Sequence, residues 1–174
     1  MRAIIAGSTL LFLLGCNGGN NNAKPLDPRL AEVLDTHNEV RSSALPAPSP
    51  ALPQLVWADD LAESAQAYAE LCNFAHDANL GFLGENLAVN APAGFLDGRE
   101  VVLNWASEVS DYNYDANSCN GVCGHYTQIV WRDTGEVGCG VATCNGIQGF
   151  TDGEGELWVC RYRGPGNFVG EKPY

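Results

Sequence analysis

Seven cysteines constrain this chain more than any other feature. Six of them (Cys72, Cys119, Cys123, Cys139, Cys144 and Cys160) lie beyond residue 70, while Cys16 closes an apolar run near the start. Cysteines in such numbers belong to an oxidising compartment, where they pair; an odd total leaves one to be explained. Cys139 and Cys144 stand five apart in GCGVATC, so on a strand they face opposite sides and do not pair with each other.

The odd cysteine is Cys16. The stretch MRAIIAGSTLLFLLG carries one Arg and then an apolar run from Ile4 to Leu14, too short to span a bilayer but suited to an export signal. Its end, LLGC, resembles a bacterial lipobox, which makes residues 1–15 a signal peptide and Cys16 the lipidated residue. Residues 16–28 then read as a flexible polar tether and residues 29–174 as one domain. The expected location is the cell envelope, periplasmic or on the outer surface, or else extracellular. The expected contact with a membrane is through the lipid anchor only.

Charge narrows the partners further. Asp and Glu total 21 against 9 Lys and Arg, and no basic stripe offsets that excess. Such a surface repels phosphate backbones, so no nucleic acid is expected. A monomer with an unknown protein or lipid ligand is the expected state.

Along the chain, Asp27-Pro28 predicts a helix start, with Leu30, Val33, Leu34, His37 and Val40 at helical spacing to about Arg41. ALPAPSPALPQL holds four prolines and predicts an extended loop. Asp60 with Glu63 predicts a capping box for a second helix carrying Leu61, Ala65, Tyr68, Ala69 and Cys72 on one stripe. Asp97 with Glu100 predicts the same device for a third helix running to roughly Asp111. VGCGVATC and ELWVCRYR read as two strands joined by NGIQGFTDGEGE, taken as a solvated loop carrying Asp152, Glu154 and Glu156. Helices first and strands late give an α+β class.

One residue breaks the third helix's pattern. Val101, Trp105, Glu108 and Tyr112 recur along one face, so Glu108 falls where burial is expected. A buried carboxylate must be paired, protonated or bound to a cation; a Glu at the rim of that face, reaching water, is equally compatible with the spacing.

At GHYTQIVW (Gly124–Trp131) and LWVCRYRGPGNF (Leu157–Phe168) the chain resembles the CAP superfamily of cysteine-rich secretory, antigen 5 and pathogenesis-related class 1 proteins. HNEVR, LVWADDLAESAQAYA, GENLA, DYNYDANSC and GNFVGEKPY resemble further blocks of that family, nearest its plant group. Gly164 stands where Pro is more usual and Arg161 where Asn is usual. The resemblance implies a three-layer α-β-α sandwich with a central cleft and bridges Cys72–Cys144, Cys119–Cys123 and Cys139–Cys160. It also implies a cleft tetrad, His76, Glu85, Glu108 and His125, suited to a divalent metal such as zinc. The separations of nine, 23 and 17 residues form no local metal motif. His37 lies outside the tetrad, with core packing or a backbone hydrogen bond as its expected role.

The resemblance favours a binding or interaction protein. A metal-dependent hydrolase with Glu85 or Glu108 as general base is the rival, although Asp77 occupies the place beside the first histidine where some relatives have Ser. Lipid or sterol binding through the loop holding Tyr112 and Tyr114 is a third reading. In plant relatives a segment like GPGNFVGEKPY can be released as a signalling peptide; packing against the sandwich is the preferred expectation here.

Overall fold

The computed structural model describes residue 25 and residues 27–174. The expected signal peptide, Cys16 and most of the expected tether lie outside the described residues. Among the described residues no helix is long and apolar enough to cross a membrane.

A four-stranded sheet forms the middle layer, in the order β1 (Val56–Trp57), β5 (Glu136–Ile147), β6 (Thr151–Arg163), β2 (Gly84–Asn90), while β3 (Tyr112–Asn113) and β4 (Ser118–Cys119) pair separately. Strand β1 runs parallel to β5, and the other neighbours are antiparallel. Alternation along the strands divides the core in two. Val137, Cys139, Val141, Trp158, Cys160 and Tyr162 pack beneath α1 (Val33–Ser42), α3 (Gly98–Ser107) and α4 (Gly124–Ile129). Leu87, Ala142, Cys144, Leu157 and Val159 pack beneath α2 (Asp59–Ala69). The result is the three-layer α-β-α sandwich.

Helix α2 sits unusually close to its strand. A Cβ at Gly138 would lie 2.3 Å from the Ala62 nitrogen, and one at Gly140 would lie 2.3 Å from the Gln66 Cα. Two glycines on the α2-facing side of β5 therefore let helix backbone rest on strand backbone, a contact that any side chain there would block.

The three disulfides form as the family resemblance implies: Cys72–Cys144, Cys119–Cys123 and Cys139–Cys160. Cys139 and Cys160 are direct cross-strand partners. Cys144 faces the other layer, where Cys72 follows α2.

Several local expectations need correction. The first helix is split: Asp27 caps a 3-10 turn over Pro28–Leu30, and α1 begins only at Val33. The turn places Arg29 between Asp27 at 2.7 Å and Glu156 at 3.4 Å. Asp60 and Glu63 form no capping box, because α2 starts at Asp59 and the capping position is Ala58. The Ala58 nitrogen still donates to the Val137 carbonyl, so β1 pairing fixes the chain up to the first helical residue. The Asp97–Glu100 box is present in both directions. Helix α3 ends at Ser107 and continues as a 3-10 turn over Glu108–Asp111.

The hairpin differs most. Strands β5 and β6 run on into the expected loop, pairing as far as Ile147 with Thr151 after a bulge. Asp152 and Glu154 are exposed on β6, but Glu156 is buried. Its carboxylate accepts from the Gly94 nitrogen at 3.0 Å and from Asn90 Nδ2 at 3.4 Å, and it meets Arg29 Nη1. It is a structural ion, not a loop acid.

Candidate functional site

Strand β2 is an edge of the sheet, paired only with β6. Its alternation sends Glu85, Leu87 and Val89 toward the α2 layer and Asn86, Ala88 and Asn90 toward the α1/α3/α4 layer. The four candidate residues divide across this edge into two His–Glu pairs.

In the first pair, His76 follows α2 on a segment tied to the tip of the β5–β6 hairpin. The Gln148 nitrogen donates to the Cys72 carbonyl at 2.8 Å, and the Phe74 nitrogen donates to the Gln148 carbonyl at 2.9 Å. His76 Nδ1 lies 2.9 Å from Glu85 Oε1, which also accepts from the Asp77 nitrogen at 3.1 Å. The Glu85 side chain is 1% exposed and that of His76 66% exposed. A hydrogen bond to this carboxylate raises the pKa of His76 above its ordinary value, against the smaller opposing effect of partial burial.

In the second pair, His125 lies in the first turn of α4. Its Nδ1 is 2.5 Å from Glu108 Oε1, while Glu108 Oε2 accepts from the His125 and Tyr126 nitrogens at 3.0 and 3.2 Å. Glu108 thus accepts from two free N–H groups of a short helix and orients its histidine at once. The imidazole stacks on Trp105, with centroids 5.9 Å apart and planes at 20°. Trp105 is held in turn by its indole N–H, which donates to the Leu87 carbonyl on the open edge of β2 at 3.1 Å. The Glu108 anomaly therefore resolves as a paired carboxylate.

A cleft of about 260 Å³ runs over this edge, lined by residues that include Leu87, Val89, Glu108, His125, Phe74 and Phe150. Phe74 and Phe150 pack edge to face at 6.0 Å. His76 and Glu85 are not among its lining residues. Among the described residues no three His, Cys, Asp or Glu side chains gather closely enough to hold an ion.

The donor chemistry of the pairs is nonetheless specific. Each imidazole engages a carboxylate through Nδ1, so Nδ1 donates and Nε2 carries the lone pair. Among the described residues neither Nε2 has a hydrogen-bond partner in the protein. A carboxylate behind a histidine is the arrangement that fixes a ligating imidazole and raises its basicity. Each pair thus presents one Nε2 of the kind that ligates divalent cations.

The other expected residues are placed elsewhere. His37 is fully buried, donating through Nδ1 to the Val33 carbonyl and accepting from the Tyr162 hydroxyl, both at 2.8 Å. Burial lowers its pKa to about 4. Tyr112 donates to Asn117 Oδ1 at 2.7 Å; Tyr114 donates to the Tyr174 carbonyl, stacks on that ring at 4.7 Å and lies beneath Lys172. Both tyrosines are engaged within their own loop and the C-terminal segment.

That segment is packed. Thr127 donates to Asn167 Oδ1 at 2.6 Å, Asn167 Nδ2 donates to the Gly124 carbonyl at 2.9 Å, and the Arg132 nitrogen donates to the Pro173 carbonyl at 2.7 Å. Gly164 has φ +70°, a conformation closed to Pro, which accounts for the departure at this position.

Sequence reasoning missed two residues. Arg41, buried in α1, donates to the carbonyls of Pro53, Ile129 and Trp131 and so ties the proline-rich loop to the end of α4. Arg161, directly opposite Glu85 in the β2–β6 register, lies behind the first His–Glu pair. The signal for Arg161 was present as a departure from the family pattern, but only the register gives it a meaning.

The fold, the three bridges and the two His–Glu pairs are accompanied by a match over residues 34–162 to the model of the cysteine-rich secretory protein family. The chain belongs to that family. It is 36% identical over 159 residues to GLIPR1-like protein 1 of Mus musculus, covering 85% of this chain and 65% of that protein. It is 38% identical over 147 residues to pathogenesis-related protein 1 of Arabidopsis thaliana, covering 82% and 81%. Among solved structures, Schistosoma mansoni venom allergen-like protein 4 matches with a TM-score of 0.69 at 28% identity, covering 86% of this chain and 95% of that one. The chain thus spans a little under two thirds of the length of the mouse protein.

Proposed function

We propose that this chain is an exported, lipid-anchored binding protein whose two His–Glu pairs, on either side of edge strand β2, hold a divalent cation, with zinc the best fit. Two imidazole donors flanked by carboxylates suit zinc, and water would complete its coordination. His76 and His125 would hold the ion, and Glu85 and Glu108 would orient them. The bound ion would supply a positive, Lewis-acidic centre for an anionic or carbonyl-bearing ligand. Phe74, Phe150 and Leu87 would receive that ligand's apolar part.

The observation that carries this reading is the shared Nδ1–carboxylate engagement of the two histidines. Binding is preferred to hydrolysis because neither carboxylate is free to act as base. Glu108 accepts from two backbone nitrogens and an imidazole, while Glu85 accepts from one of each. Asp77, where a hydroxyl nucleophile would stand, is paired with Arg161 at 2.7 Å. Extraction of protein purified from its native envelope, followed by metal analysis and mass spectrometry, tests the reading. Zinc retained by wild type and absent from the His76→Ala/His125→Ala protein is expected; hydrolytic turnover lost with the same pair would establish the enzyme instead. Anchoring rests on LLGC and the odd cysteine. An acyl mass on a new N-terminal Cys16, lost in Cys16→Ala, is the expected result, and an unmodified N-terminus would refute it.

A further inference from the structure

We infer that Arg161 and Asp77 act together as positioning residues that give the exposed His76 imidazole one fixed orientation. The inference builds on the proposed cation site, whose first half they support. The Arg161 side chain is only 8% exposed and lies on the α2 face of β6. Its Nη2 donates to Asp77 Oδ2 at 2.7 Å, its Nη1 donates to Ser64 Oγ, and its guanidinium carbon sits 5.2 Å from the centre of the Tyr68 ring. Its Nε lies 3.5 Å from Glu85 Oε2, and neither of these two buried atoms has a hydrogen-bond partner. Each is thus held by the charge of the other.

These contacts close a ring. Glu85 receives His76 Nδ1 and the Asp77 nitrogen on Oε1 and faces Arg161 with Oε2. Asp77 is gripped at its nitrogen by Glu85 and at its carboxylate by Arg161. The dipeptide His76-Asp77 is therefore pinned to the sheet at three points, although the imidazole itself projects into solvent. An exposed histidine on a loop would otherwise exchange rotamers and tautomers.

Charge explains why the two residues occur together. Asp77 without Arg161 would set a second carboxylate beside buried Glu85, and Arg161 without Asp77 would lose its best-formed ion pair. Arginine suits the role because its planar fork serves Asp77, Ser64 and Glu85 at once, which an ammonium group could not do in the same geometry.

The test uses full-length protein with 15N-labelled histidine at about pH 8.5, above the ordinary imidazole range. NMR should show His76 in wild type as a single tautomer protonated at Nδ1. Arg161→Gln should average the His76 tautomers while leaving His37 and His125 unchanged, a selectivity that general loosening would not produce. Arg161→Lys should restore the tautomer only in part. Asp77→Asn/Arg161→Gln, which removes one charge of each sign, guards against misfolding and should also average His76. Zinc affinity should fall about 10- to 100-fold in Arg161→Gln, as for other supporting partners of metal-binding histidines. A fixed His76 tautomer in the folded double variant, or equal shifts at all three histidines, would overturn the positioning role. A wild type that ignores zinc, with His76 still losing its tautomer in Arg161→Gln, would retire the cation reading alone and support the positioning role.

Discussion

The two His–Glu pairs use the same bond but are built from different materials. On the α2 side, an exposed histidine leans on a buried glutamate held by ions: Glu85, Arg161 and Asp77. On the other side, a half-buried histidine is held by packing and helix geometry: Trp105 stacks on it, and Glu108 caps the helix that carries it. The first pair depends on long-range charge and the second on a local cap plus an aromatic face. Damage to charges should therefore disturb His76 first, and damage to packing should disturb His125 first.

Disulfides should separate the two halves most strongly, because each half has its own. Cys72 lies four residues before His76, and its bridge to Cys144 spans 72 residues; Cys123 lies two before His125, and its bridge to Cys119 spans four. Loop entropy gives about 4 kcal/mol for the long bridge and about 2 kcal/mol for the short one. Replacing both cysteines by Ala in each case and measuring chemical denaturation should show this order. Equal losses would mean that the His76 segment is held chiefly by its hydrogen bonds to the hairpin tip.

Acid should weaken the packed layer through a group belonging to neither pair. The folded pKa of His37 is lowered to about 4 by burial, below the ordinary value of 6.5. Between these values the unfolded chain binds a proton that the folded chain does not, so stability falls as pH drops from 6.5 to about 4. The loss should approach about 3 kcal/mol and be complete below pH 4. His37→Asn or His37→Gln should flatten that part of the profile. His76 acts in the opposite sense: its raised pKa adds stability below 6.5, lost as pH climbs through the raised value.

A smaller effect separates the two glutamates. Glu108→Ala removes a helix cap and should cost about 1–2 kcal/mol, releasing the His125 ring from a fixed tautomer as well. Thermal unfolding together with histidine NMR would check both consequences. An unchanged melting temperature would show that Glu108 serves the histidine alone.

What the sequence made legible followed from local physics. Asp97 and Glu100 are three residues apart and cap α3 whatever lies elsewhere, so pattern reading located them. Asp60 and Glu63 have the same spacing, yet the β1–β5 pairing decides where α2 begins. NGIQGFTDGEGE looks like a loop by composition, but cross-strand pairing carries most of it into β5 and β6. Glu156 is buried because Arg29 and Gly94 reach it from distant segments. The four tetrad positions came from resemblance to a family and could not come from spacing. Their division into two pairs across an edge strand, and the Arg161–Asp77 support of one of them, needed the sheet register.

We propose that both histidines serve one cation. Calorimetric titration of metal-stripped wild type with zinc, beside His76→Ala and His125→Ala, tests it most directly. One zinc per chain is expected in wild type, with a large loss of affinity in both variants and weaker binding as pH falls through the raised value of His76, above the ordinary imidazole value of about 6.5, because protonated imidazoles cannot ligate. Equal, weak uptake by all three proteins would contradict it and leave two independent hydrogen-bonded His–Glu pairs.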